Sequence, residues 1–364
     1  MKLHLIKYLI LILLLSACKK EKQKDTSFFS NYNHRDFKMG FTTWPYARTI
    51  QAVDDTYNFL TDNTDIYAEH IDHFIPWNAW MNNTALPSEF VDNIQSKVNR
   101  KLPGKKLLLS IGLLNNSRDD LMSDFDGTTP TYTHLNDAHI IDAYYKHVHY
   151  LVNALQPDRL VIAIEVNKLL LVNAIKWQEY KLMISEVKTR IKNDYPDLPI
   201  SESMMLHVLL DAQSQHLDTY INEIFAYSNQ LDFTSISFYP FSNNLHSKTD
   251  FQSAFDFLHQ HTTNTIAFVE TGNISKDLII PSLNVNIRGS ETEQKIYLET
   301  LCINAQEHQY DFIIWWTHRD YTALWQTFPP EIKDLASTWL STGIITDDGT
   351  QRPSYTSWQK AFEK

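Results

Sequence analysis

Thr265-Ile266-Ala267-Phe268-Val269-Glu270-Thr271-Gly272 sets four consecutive apolar residues before a carboxylate. A strand that is apolar on both faces is one covered on both faces, as parallel strands between helices are. Seven other runs have the same form: Phe37–Thr42, Ile66–Phe74, Lys106–Ile111, Arg159–Glu165, Met204–Val208, Phe233–Phe238 and Phe312–Trp316. Between them lie helix-period stretches such as Ala138–Leu155 and Ala174–Ile191. Asp194, Pro196 and Pro199 stop the second of these, and Ser290 followed by Glu291-Thr292-Glu293 offers a capping box. Eight strands alternating with helices predict an α/β protein, a single-domain (β/α)8 TIM barrel over residues 36–364. The competing doubly wound sheet would carry a glycine-rich phosphate loop after its first strand. Here that strand runs into Gly40-Phe41-Thr42-Thr43-Trp44-Pro45, and the 364 residues hold 8 glycines, so no nucleotide and no other cofactor is expected.

Apolar residues make up 43% of the chain and charged residues 21%, the profile of a globular protein. The 43 acidic against 32 basic side chains give a formal charge of −11 and no basic stripe after the first 25 residues. That excludes nucleic acid as a partner. Lys2 and Lys7, the short apolar run Tyr8–Leu15 and then Leu15-Ser16-Ala17-Cys18 resemble a bacterial lipoprotein signal. The expectation is a signal peptide over 1–17, a lipidated Cys18, and a polar tether over 18–35. The protein would then be a monomer held to the cell envelope by lipid, at the outer membrane. Cys302, the second of two cysteines, lies in a helical pattern and reads as a packed thiol.

A barrel of this kind places its chemistry at the C-terminal ends of its strands. Glu165 closes the fourth apolar run and Glu270 the seventh, and burying either carboxylate needs a reason. Strands four and seven face one another across a barrel mouth. A carboxylate pair about 5–5.5 Å apart there is what retaining glycoside hydrolysis requires, one attacking and the other protonating the leaving oxygen. Proximity should keep one of the two protonated near neutral pH. Trp44, Trp77, Trp80, Trp315 and Trp316 stand near strand ends and are candidates to stack on sugars, or to pack as core. His207 and His318 are candidates for substrate hydroxyls. His70, Asp72 and His73 do not suggest a metal, since the two histidines fall on opposite faces of a strand. No Gly-x-Ser-x-Gly elbow is present.

These residues resemble the clan A β-glycosidases, and most nearly glycoside hydrolase family 53, the endo-β-1,4-galactanases. Leu231-Asp232-Phe233-Thr234-Ser235-Ile236-Ser237-Phe238-Tyr239-Pro240-Phe241 is similar to that family's sixth-strand motif, and Ala267–Gly272 to its nucleophile strand. Gly343-Ile344-Ile345, Asp347-Asp348-Gly349 and Arg352-Pro353-Ser354-Tyr355 with Trp358 resemble the closing segment of such barrels. The resemblance implies a retaining hydrolase of β-glycosidic bonds in a polysaccharide or oligosaccharide. Glu270 would be its nucleophile, Glu165 its acid/base, and Tyr239 a hydrogen-bond donor to Glu270. The clan places Asn before its acid/base to bind the sugar 2-hydroxyl; here that position is Ile164, and Asn167 follows Glu165 by two residues. The departure defines a second expectation, a surface glycan-binding lipoprotein whose barrel has lost turnover.

Overall fold

The computed structural model describes residues 28–364; the expected signal peptide, Cys18 and the first part of the tether lie outside the described residues. Eight positions around one barrel are filled by β1 (Lys38–Thr42), β2 (Ile66–Ile71), β3 (Lys106–Ile111), β4 (Arg159–Val161), β5 (Ile200–Ser201 with Ser203–Met205), β6 (Thr234–Phe238), β7 (Ile266–Thr271) and β8 (Phe312–Trp315). Every neighbouring pair is parallel, and β8 lies beside β1. Closure runs through β5, whose first piece pairs with β4 and whose second pairs with β6. The barrel is therefore complete.

Strand side chains alternate inward and outward, and each set has its own core. Inside, Ile66, Ala68, Leu108, Val161, Ile164, Phe233, Ala267, Val269, Phe312 and Ile314 fill the barrel. Outside, a larger cluster joins the strands to the helices, with Tyr144 and Leu151 from Ala138–Leu155 and Tyr180 and Val187 from Ala174–Asp194. Gly40 lets β1 approach β2, since a Cβ there would stand 1.8 Å from the Ile66 carbonyl oxygen. Ser290 caps the helix Glu291–Glu307 by accepting from the Glu293 amide at 3.2 Å, one half of the expected capping box, while the Glu293 carboxylate meets His246 and Arg288 instead.

Three expectations need correction. β4 ends at Val161, so Ile162–Glu165 leaves the strand and turns. The strand expected over Met204–Val208 lies earlier, and Leu206–Ser214 is a helix. Residues 28–35, expected as tether, are part of the fold. Phe28 and Phe29 are buried, Phe29 meets Phe37 edge-on at 6.2 Å, and Arg35 donates to the carbonyls of Ala361 and Phe362. After β7 the chain adds a hairpin, Lys276–Ile280 with Val285–Ser290. Its apolar side chains Leu278 and Ile280 join a third cluster with Tyr239, Phe241 and Trp316 at the barrel mouth.

Candidate active site

Glu270 lies one residue before the end of β7 and faces the mouth, its side chain mostly covered. The Tyr239 hydroxyl donates to its Oε1 at 2.6 Å, and His70 Nε2, near the end of β2, lies 3.3 Å from its Oε2. Burial pushes the His70 imidazole down, but the bonded Glu270 carboxylate outweighs it and holds the pKa above the ordinary histidine value. Burial and the same carboxylate push the Tyr239 hydroxyl well up, so it stays a proton donor. Trp316 stands edge-on to His70 at 5.6 Å and packs against Trp44 at 4.9 Å, making an aromatic wall beside Glu270.

Glu165 arrives differently. Past the end of β4 the chain turns through Glu165 itself, at a φ of 58°, a left-handed conformation uncommon outside glycine. The turn is pinned by the Glu165 amide, which donates to Ser203 Oγ at 2.8 Å, and by the Val166 amide on the Ser203 carbonyl. Ser203 follows Glu202 in the interruption of β5. Glu202 is fully buried and accepts from the Tyr180 and Tyr227 hydroxyls, so the break in β5 is built around a satisfied carboxylate.

Both oxygens of Glu165 have partners. Ser237 donates to Oε1 at 2.7 Å, and Arg118, from the loop after β3, donates to Oε2 at 2.6 Å through Nη2 and 3.2 Å through Nε. Burial raises the Glu165 pKa, but the guanidinium of Arg118, the Ser237 hydroxyl and the nearby His207 together bring it below the usual carboxylate range. Of the pair, Glu165 is thus held ionised in this structure, against the expectation that it carries a proton at rest.

The two glutamates belong to one site. Ser237, bonded to Glu165, is in register with Glu270 across β6 and β7. His207 and Tyr239 each sense the charge of both carboxylates. His207 stands at the start of the helix Leu206–Ser214, with its Nδ1 buried and unbonded.

Five other candidates take structural places, among them Trp315, fully buried with its indole N–H on the Thr342 carbonyl at 2.8 Å. Trp77 is 1% exposed, with its indole N–H on the Met122 carbonyl, and has no free face for a sugar. Trp80 packs on Tyr150, and its N–H reaches His147. Asn167 is buried, bonded through Oδ1 and Nδ2 to the backbone of Met205, and ties the turn after β4 to β5. His318 is buried against Phe59, and its pKa is pushed down to about 3, chiefly by burial. Ile164 lies in the barrel interior and offers no polar atom where the clan has its Asn. The sequence reading assigns neither His70 nor Arg118 to the site. His70 entered that reading only beside Asp72 and His73, and Arg118 gave no signal, being an arginine in a polar loop 47 residues before its partner.

No protein-family model matches the chain, and no curated protein matches it in sequence. Its fold is similar to those of several solved structures. One is a GH5_18 protein from Bifidobacterium longum subsp. infantis, with a TM-score of 0.63 at 13% identity, covering 90% of this chain and 79% of that one. Another is the GH53 catalytic domain of Ignisphaera aggregans, with a TM-score of 0.56 at 16% identity, covering 90% and 96%. A third is the exo-beta-1,4-mannosidase Op5Man5 from Opitutaceae bacterium strain TAV5, with a TM-score of 0.62 at 11% identity. The match covers 90% of this chain and 59% of the mannosidase's length. At such identities the likeness is one of fold: the chain has a (β/α)8 barrel like theirs.

Proposed function

We propose that the protein is a retaining glycoside hydrolase cleaving β-glycosidic bonds, with Glu270 as nucleophile and Glu165 as acid/base. The observation that supports this most is that Glu165, in the turn after β4, is bonded to Ser237, which is in register with Glu270 of β7, so that both glutamates stand at one barrel mouth, with the Tyr239 hydroxyl on Glu270. The nucleophile attacks the anomeric carbon while the acid/base protonates the departing oxygen, and the acid/base then activates water against the glycosyl-enzyme. Trp316 and Trp44 supply an apolar wall for a sugar face. Incubating residues 24–364 with a β-glycan panel and measuring new reducing ends tests the proposal. The panel includes β-galactan as a neutral polymer and acidic β-glycans beside it.

The second reading, a glycan-binding barrel without turnover, is favoured by Ile164 and by the ion pair that holds Glu165 ionised. Binding to the panel with no product would establish it. We also propose attachment to the envelope through acylated Cys18. Cys18→Ala is expected to leave the detergent phase, and a variant still membrane-bound after a salt wash would exclude that anchor.

A further inference from the structure

The Arg118–Glu165 pair is difficult to reconcile with an acid. A guanidinium has five donors and no acceptor, so while Arg118 holds Oε2, no proton can sit there for delivery. Ser237 can rotate its hydroxyl to accept from Oε1, but a proton there would cancel the charge that the Arg118 guanidinium is paired with, so the closed pair disfavours the acid form on either oxygen. The arginine is not a loose arm. Its Nη1 donates to the Asn115 carbonyl at 2.8 Å, Asn115 is bonded in turn to Asp119, and Asp120 is held by Lys176 and Tyr132. The Arg118 side chain is 18% exposed and that of Glu165 14%, so withdrawing the carboxylate would leave a largely buried cation unpaired. Arg118 therefore gives up Glu165 only for another anion. The nearby acids of this chain are engaged: Asp119 by Asn115, Asp120 by Lys176, and Glu270 by Tyr239 and His70. The replacement has to arrive with the substrate.

We propose, building on the glycosidase reading, that the substrate is an acidic glycan whose carboxylate or sulfate ester takes the Arg118 guanidinium from Glu165. Arg118 is then a specificity-determining residue. Once released, Glu165 takes up a proton from the solvent buffer, and regains it in each later cycle from the water that attacks the glycosyl-enzyme. Glu165 passes that proton to the leaving oxygen as the anomeric C–O bond breaks and the Glu270–carbon bond forms. A neutral glycan leaves the ion pair closed and Glu165 ionised.

Calorimetry with the full chain carrying Glu270→Gln tests this without turnover. The probes are a β-linked uronate oligosaccharide, its carboxyl-reduced counterpart and a sulfated counterpart. At least one acidic probe is expected to bind ten times or more tighter than the reduced one, and which of them does so separates carboxylate from sulfate. Adding Arg118→Gln should erase the preference, and Arg118→Lys should restore part of it, which a merely structural role would not do. Equal binding of charged and reduced probes, a preference that survives Arg118→Gln, or no binding of either acidic probe overturns the proposal. An Arg118-dependent preference in a protein that hydrolyses no panel glycan supports the exchange while removing the glycosidase reading.

Discussion

Arg118 and Glu165 are joined at 2.6 Å across 47 residues of sequence, and both hold the left-handed backbone, at φ 59° and 58°. For residues with a Cβ each such conformation costs roughly 1–3 kcal/mol and persists where the surroundings impose it, often at functional sites. Ser203 imposes it at Glu165, and the Asn115 loop imposes it at Arg118. The pair is thus a built feature of the mouth, and the roles of the carboxylates around it can be tested separately.

Glu270→Gln is expected to abolish turnover on every substrate, because the nucleophile serves both formation and breakdown of the glycosyl-enzyme. Glu165→Ala should lose natural glycans but still open an aryl glycoside with an activated leaving group. Azide should then restore turnover and give the β-glycosyl azide, the product of two inversions. Recovery of the α-azide, identified by NMR, would mean direct displacement and a wrong assignment of roles.

Tyr239→Phe removes a hydroxyl 2.6 Å from Glu270 Oε1 and nothing else. A hydrogen bond to a charged group contributes about 1.5–3 kcal/mol, so kcat/KM should fall roughly tenfold to a hundredfold. Thermal unfolding checks that the fold is intact; an undiminished kcat/KM would remove Tyr239 from the site.

His147, His318 and His259 have pKa values pushed down to about 3, about 3 and about 4, chiefly by burial. Each is neutral when folded, while the unfolded chain takes up a proton near 6.5. Between about pH 4 and 6.5 the unfolded state therefore binds more protons, so these sites make stability rise with pH, and their contribution is complete above 6.5. Glu202, raised by its burial, acts in the opposite sense, so one site must be isolated. In His147→Gln the urea midpoint should change less between pH 5 and 7 than in the wild type. An equal change would count against a neutral, buried His147.

Arg352 meets Asp320 bidentately, at 2.9 and 2.7 Å, and also donates to the Gly343 carbonyl at 2.7 Å. Both side chains are almost wholly buried and tie the segment after β8 to the final helix, Pro353–Phe362. Removing one partner of such a pair costs about 3–5 kcal/mol, so Arg352→Ala should shift urea unfolding by that amount and Arg352→Lys by less. A shift below about 1 kcal/mol would show that solvent reaches Asp320.

The barrel was legible because most of its strands are covered on both faces and so carry unbroken apolar runs, as Ile266–Val269 does. Glu270 stood out as the charge that closes such a run. β5 was hidden because it violates that pattern. Ser201, Glu202 and Ser203 look like a loop, and the partners of the Glu202 carboxylate are remote in sequence: tyrosines 22 residues before and 25 residues after it, and Lys188. Of the apolar residues that suggest a strand, Met204 and Met205 end β5, while Leu206–Val208 open a helix. Glu165 was found, but not its left-handed turn, since Ile162-Ala163-Ile164 reads as strand and the turn depends on Ser203. Arg118 was invisible for a similar reason: next to Asp119 and Asp120, its charge reads as a solvated loop.

Phe28 and Phe29 enter the fold beside the start of β1, and Arg35 fastens that entry to the last helix through Ala361 and Phe362. Both ends of the described chain therefore gather at the rim from which the strands start, a full strand length from Glu165 and Glu270. Phe28 therefore enters the described fold behind the barrel mouth. A bead, a fusion partner or a surface joined there leaves the mouth facing outward, so long polymers can reach it without threading past the attachment.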